Sequence, residues 1–255
     1  MIDGFDYNDS AEVQARVMPI LRKLTPHSVD GFRKIRLGGN NDGAYITLDD
    51  FEGITRAYSL GINDDVKWDL EIAARGIHLY QYDHTIESPP FVHEMFHWER
   101  VGIEGVASDA PDLDTLENLM RRNGHWMTGD MILKCDIEGH EWEMLANASP
   151  DCLLQFRQII LEMHAFQELH RTDFCALVKR AFDNLTAAHR VIHVHGNNNT
   201  AYSVVGGIAL PAALEFTFVR KTDRTLRYSN EIFPTHLDMP CWPHRADYAL
   251  GTFTF

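Results

Sequence analysis

Apolar residues recur at helical spacing across 10–24 and predict an opening helix. Two short apolar runs, 34–38 and 44–48, flank Asn40-Asn41-Asp42-Gly43 and predict strands joined by an Asp-Gly turn. From residue 56 the pattern changes to apolar run, turn and helix, and then repeats. Strands are predicted at 56–62, 77–82, 96–105, 131–135, 158–163 and 190–194. Helices are predicted at 68–75, where Gly76 is the stop, and at 113–122, 141–146 and 174–184. Two closing strands follow, at 203–210 and 214–219. This alternation gives the α/β class, an open, mostly parallel sheet with helices on both faces. No repeat, Gly/Ser linker or low-complexity stretch divides the chain, so 1–255 reads as a single domain. Within it, 1–50 is an N-terminal helix and hairpin, and 223–255 is a C-terminal extension rich in Pro, His and aromatics.

Composition narrows the partners. A hydrophobic share of 45% across 255 residues supports a sizeable core. The formal net charge of −14 argues against nucleic acid or an anionic membrane as the main partner, because little basic charge is present to meet phosphate. No apolar run is long enough for a membrane span, and the acidic opening segment lacks the layout of a signal peptide. The four cysteines (Cys135, Cys152, Cys175, Cys241) form no C-x-x-C pair, which fits reduced thiols in a cytoplasmic protein. The sequence leaves the oligomeric state open.

In open α/β sheets ligands bind beyond the carboxyl ends of the strands, so the residues just past each strand matter most. Gly61 follows the first repeating strand, with Asn63, Asp64 and Asp65 behind it. A glycine there lets backbone approach a ligand, and carboxylates suit a cation better than a pyrophosphate. The same residues also serve as an ordinary turn and helix cap. Asp83 ends the next strand, 22 residues after Gly61, where a carboxylate can accept both hydroxyls of a ribose. Asp136, Glu138, His140 and Glu141 follow the strand at 131–135, a density beyond what capping needs. Glu162 and His164 share one side by period-2 geometry. His193 and His195 end a later strand, and as a pair they suit packing as well as ligation.

Lys134-Cys-Asp136-Ile-Glu138-Gly-His140-Glu141-Trp142 resembles the K-x-D-x-E-G-x-E-W signature of FkbM-type methyltransferases. Tyr58–Ile62, Tyr82–Thr85, Asn123-Gly124-His125, 193–198 and the Asp42–Tyr45 turn support it in order, across roughly residues 34 to 220. Ala44 stands where that family has a second Gly, and the glycine-rich first turn is reduced to Gly61. The resemblance implies a class I, Rossmann-like sheet of seven strands with S-adenosylmethionine over the first two. Its cofactor contacts are then Gly61, Asn63, Asp64, Asp83, His84, Thr85 and Asp136. The C-terminal extension has no counterpart in the pattern and is expected to shape the substrate pocket.

Methyl transfer to a hydroxyl needs alignment and loss of a proton. His140 is the first candidate base and His195 the second, with Glu138 completing the catalytic set. A divalent ion on Asp136, Glu162 and His164 would assist. Its mixed carboxylate and imidazole donors suit Mn²⁺, Fe²⁺ or Zn²⁺ better than Mg²⁺. The expected acceptor is a small molecule or sugar. A metal-dependent hydrolase and a non-catalytic S-adenosylmethionine-binding protein are the alternatives.

Overall fold

The computed structural model describes residues 7–255, so the first six residues of the opening segment read above for a leader lie outside the described residues. The chain runs through α1 (Ala11–Leu21), β1 (His27–Val29), the hairpin β2 (Lys34–Leu37) and β3 (Tyr45–Leu48), β4 (Arg56–Leu60), α2 (Lys67–Ala73), β5 (His78–Tyr82) and β6 (Phe96–Glu99). Next come β7 (Gly102–Ile103), β8 (Leu113–Asp114), α3 (Leu116–Arg122), β9 (Met131–Cys135), α4 (Glu141–Asn147), α5 (Pro150–Leu154), β10 (Phe156–Met163) and α6 (Thr172–Ala188). The last strands are β11 (His189–Gly196), β12 (Tyr202–Val205), β13 (Ile208–Pro211), β14 (Leu214–Arg220) and β15 (Leu226–Tyr228).

Seven of these strands form one sheet in the order β11-β14-β10-β9-β4-β5-β6. The chain moves outward from β4 through β5 to β6, then returns across β4 to β9 and moves the other way. β4 pairs in parallel with both β5 and β9, while β14 runs antiparallel between β10 and β11. The sheet is therefore the open, mostly parallel, seven-stranded Rossmann-like type expected, and its switch in strand order falls between β4 and β9.

Strand periodicity divides the core between the two faces. Tyr58, Leu60, Leu133, Cys135, Ile159 and Leu161 belong to one buried cluster, with apolar residues of α1, α3, α4, α5 and α6. Ala57, Leu79, Ile132 and Ile160 face the other way, against Trp68, Ile72 and Ala73 of α2 and Leu37 and Tyr45 of the hairpin. The longest helix, α6, buries Cys175, Val178, Ala181, Phe182 and Leu185 at helical spacing. Trp142 of α4 meets Phe182 and Phe166 edge-on, with ring centroids 5.2 and 5.4 Å apart. This packing anchors the far end of the 136–140 turn.

Two element expectations change. The strand expected at 203–210 is broken at Gly206-Gly207, where both residues have positive φ, and becomes the separate hairpin β12–β13. The run at 96–105 is two pieces, β6 in the main sheet and β7 paired with β8. Among the described residues no helix is long and apolar enough to cross a membrane.

Candidate active site

A cavity of about 560 Å³ opens at the carboxyl ends of β4, β5 and β9. Its lining holds Gly61, Asn63, Asp64, Asp83, His84, Thr85 and Asp136, together with Glu138 and His140. The structure thus brings together all seven expected cofactor contacts and two of the three catalytic candidates. Asp42 and Lys134 line it as well.

Gly61 is indispensable to the floor. Its φ is +70°, and a Cβ built on it would lie 1.6 Å from the Asp136 carbonyl oxygen. No side chain fits between β4 and β9 at this level. Beneath it Lys134 Nζ donates to the Gly61 carbonyl at 2.6 Å, tying the two strand ends together. Lys134 was not among the expected site residues. A lysine inside an otherwise apolar buried strand was the available signal, since a buried ammonium needs partners.

Asp83 organises the turn above Gly61. Its Oδ2 accepts the Ile62 and Asn63 amides at 3.1 and 2.8 Å. Its Oδ1 accepts the Thr85 amide at 2.8 Å and the Thr85 hydroxyl at 2.6 Å. These four bonds fill the carboxylate's acceptor positions. Burial works against the charge, but the bonds from Thr85, Asn63 and Ile62 outweigh it and hold the carboxyl below its ordinary range. Asp65 accepts the Lys67 amide at 2.8 Å, a local turn bond, while the N-cap of α2 is Val66 with no side-chain capping bond.

The 136–140 turn is held from below by Glu141, which is fully buried. Its carboxylate accepts the Ile137 and Gly139 amides at 2.7 and 2.9 Å and faces His164 Nδ1 at 3.3 Å. Glu138, at φ +55°, points outward and its side chain is 86% exposed. His164 Nε2 then looks at Glu138, Glu162 and Asp136 from 3.6, 3.7 and 3.9 Å. One metal-type grouping among the described residues is Asp136, Glu138 and His164. Glu162, expected as the third ligand, lies 3.7 Å from His164 Nε2 but outside that grouping. It accepts from Asn197 Nδ2 at 2.6 Å and groups with Asp42 and Glu215. The Tyr45 hydroxyl lies 3.2 Å from Asp136 Oδ2 and 3.5 Å from Glu162 Oε2, bridging the two strand ends. Tyr45 too was missed, because a tyrosine in a β-hairpin reads as ordinary core.

Charge follows burial. Burial pushes Asp136 up to about 6 against the pull of Lys134 and His164, and raises Glu162 as well with help from Asp136 and Glu215. Burial works against the His164 cation, yet Glu141, Glu162 and Asp136 outweigh it and raise the imidazole to about 9. A histidine raised in the fold stabilises it below its ordinary pKa of 6.5 and loses that contribution as pH rises through about 9. Over that window the loss is about 3 kcal/mol. Unfolding curves for wild type and His164→Gln should therefore converge between pH 6.5 and 9; a constant gap contradicts the assignment.

His195 is absent from the cavity lining and is 1% exposed. Its Nδ1 lies 2.8 Å from Glu215 and its Nε2 3.0 Å from Asp247. Both nitrogens are engaged by carboxylates, and the ring, expected as the second candidate base, does not reach the crevice. His140 is exposed on the cavity wall, at the N-cap of α4, with no side-chain capping bond.

No family model matches the chain, and no curated protein does. Among solved structures it is similar to a putative methyltransferase from an antibiotic biosynthesis pathway of Anabaena variabilis, at 10% identity and a TM-score of 0.28. That overlap covers 55% of this chain and 57% of the other. It is also similar to a SAM-dependent methyltransferase from Agrobacterium tumefaciens, at 13% identity and a TM-score of 0.32, covering 67% of this chain and 57% of that one. This chain thus spans less than two thirds of either neighbour, and likenesses this distant identify no activity. What the molecule itself displays is an open, seven-stranded Rossmann-like sheet with an acidic crevice at its switch point.

Proposed function

We propose that the protein is an S-adenosylmethionine-dependent methyltransferase acting on a hydroxyl of a small polar molecule or sugar. The observation that carries this reading is the crevice. Six carboxylates (Asp42, Asp64, Asp65, Asp83, Asp136, Glu138) line a cavity at the strand-order switch, beside a glycine whose missing side chain lets two strand ends meet. Its volume of about 560 Å³ lies in the usual range for a ligand of nucleoside size. Six negative groups repel the phosphates of a dinucleotide and favour a sulfonium cation.

The resemblance to FkbM-type methyltransferases at 134–142 supports the same reading. Where the family implies cofactor, this chain offers Gly61, Asn63, Asp64, Asp83, His84, Thr85 and Asp136. A ribose reaches Asp83 by taking the place of the Thr85 hydroxyl at Oδ1, while the two amides at Oδ2 keep the turn in position. The bound cofactor supplies an electrophilic methyl group. The chain's own part is to hold the acceptor in line and remove its proton. His140, exposed on the wall, takes the proton. Asp136, Glu138 and His164 form the donor set for any assisting ion, which would lower the hydroxyl's pKa. Glu141 fixes the orientation of His164 from behind. Mn²⁺, Fe²⁺ or Zn²⁺ suits these donors.

The experiment is to incubate the protein with S-adenosylmethionine and a panel of hydroxylated small molecules, glycosides included, and to measure S-adenosylhomocysteine release. Release that depends on acceptor supports the proposal. Cofactor binding without release by any acceptor points to the non-catalytic alternative, and acceptor cleavage without cofactor points to the hydrolase.

A further inference from the structure

The C-terminal extension carries a second cluster that methyl transfer does not use. β11 and β14 pair so that His195 stands opposite Glu215. The extension then folds back and places Cys241 and Asp247 against them. Cys241 Sγ lies 3.1 Å from Glu215 Oε1 and 3.9 Å from His195 Nδ1, and His195 Nδ1 lies 2.8 Å from Glu215 Oε2. All three residues are buried. We propose that His195 Nδ1, Glu215 and Cys241 Sγ bind a zinc-class divalent ion that pins the C-terminal extension over the carboxyl end of β11 and the amino end of β14.

The donor set is the first argument. A thiolate, an imidazole and a carboxylate are the ligand types of zinc sites, and one ligand atom from each lies within 4.8 Å of the others. Around a tetrahedral ion such donors stand about 3.4–3.6 Å apart, so small side-chain shifts complete the geometry. The second argument is Asp247. Its carboxylate engages His195 Nε2 at 3.0 Å and leaves Nδ1 for the ion, the arrangement in which a carboxylate orients a metal-bound histidine. The third is charge. Glu215 stands with Glu162 and Asp42, and a divalent cation beside His195 adds positive charge to this acidic group. Binding displaces the Cys241 thiol proton and one proton from the His195 imidazolium, which leaves Nε2–H donating to Asp247.

This site is separate from Asp136, Glu138 and His164 and does not depend on the methyltransferase reading. The full chain, stripped by chelator, is titrated with Co²⁺ and with Zn²⁺. The expected result is one equivalent of Co²⁺ with a thiolate-to-cobalt charge-transfer band. The band should be lost in Cys241→Ser and kept in His164→Ala. Asp247→Asn should weaken Zn²⁺ binding by about 10–100-fold. Serine retains a hydroxyl for Glu215, and thermal unfolding confirms that each variant is folded. A folded wild type that gives no thiolate band overturns the proposal and leaves a hydrogen-bonded imidazolium. A band that survives Cys241→Ser overturns it too, by placing the ion on another thiol.

Discussion

Replacing His140 by alanine should lower turnover by about 10²–10⁴-fold while leaving S-adenosylmethionine affinity unchanged. His140 reaches the cavity from the first turn of α4, and its ring makes no capping bond. Its removal therefore costs the fold little, and the loss falls on the proton transfer. His195→Ala makes the contrast. That ring sits buried between Glu215 and Asp247, and removing it leaves two carboxylates without their cation. The expected cost is about 3–5 kcal/mol of stability. Steady-state kinetics and thermal unfolding on both variants separate the two roles. If His140→Ala turns over at the wild-type rate, the base has been misassigned.

The second large effect belongs to Gly61→Ala. The added methyl meets the Asp136 carbonyl oxygen at 1.6 Å, a backbone atom that cannot swing away. The positive φ adds about 1–2 kcal/mol for any residue with a Cβ. Together they should cost about 3 kcal/mol or more and open the gap between β4 and β9. A fall of roughly 10 °C in Tm follows for a chain of this size. Gly76→Ala is the matched control, because Gly76 has φ +78° and open space around its missing side chain. It should show only the conformational cost. Equal Tm shifts for the two variants would mean that the close approach of the strands is unimportant.

Much of this was legible in the chain itself, for physical reasons. The switch from helical to strand periodicity exposed the β4–α2–β5 repeat, and the repeat located the strand ends where ligands bind. Asp136, Glu138 and His140 stood out because helix capping does not need so many titratable groups. What failed depended on contacts distant in sequence. Asp83 was readable as a strand-end carboxylate, but not as the acceptor of three backbone amides. His195 looked available for catalysis because its enclosure comes from Asp247 and Cys241, in an extension whose path no local pattern reveals. Glu162 was rightly grouped with His164 by period 2. It also accepts from Asn197, on the loop after β11, and groups with Asp42 and Glu215, which no local pattern reveals. Tyr45 is a core position by pattern and a site position only by topology, whereas Lys134 broke the apolar pattern of its strand and could have been read.

The central claim is that the crevice beside Gly61 and Asp83 holds S-adenosylmethionine, and calorimetric titration tests it most directly. The prediction is one site per chain. Asp83→Ala should weaken it by about 2–4 kcal/mol, because the ribose contact and the turn are lost together. Thr85→Ala should bind at least as well as wild type, since its hydroxyl occupies the place the ribose takes at Oδ1. Absence of binding to the folded wild type, or unchanged affinity in a folded Asp83→Ala protein, would contradict the account.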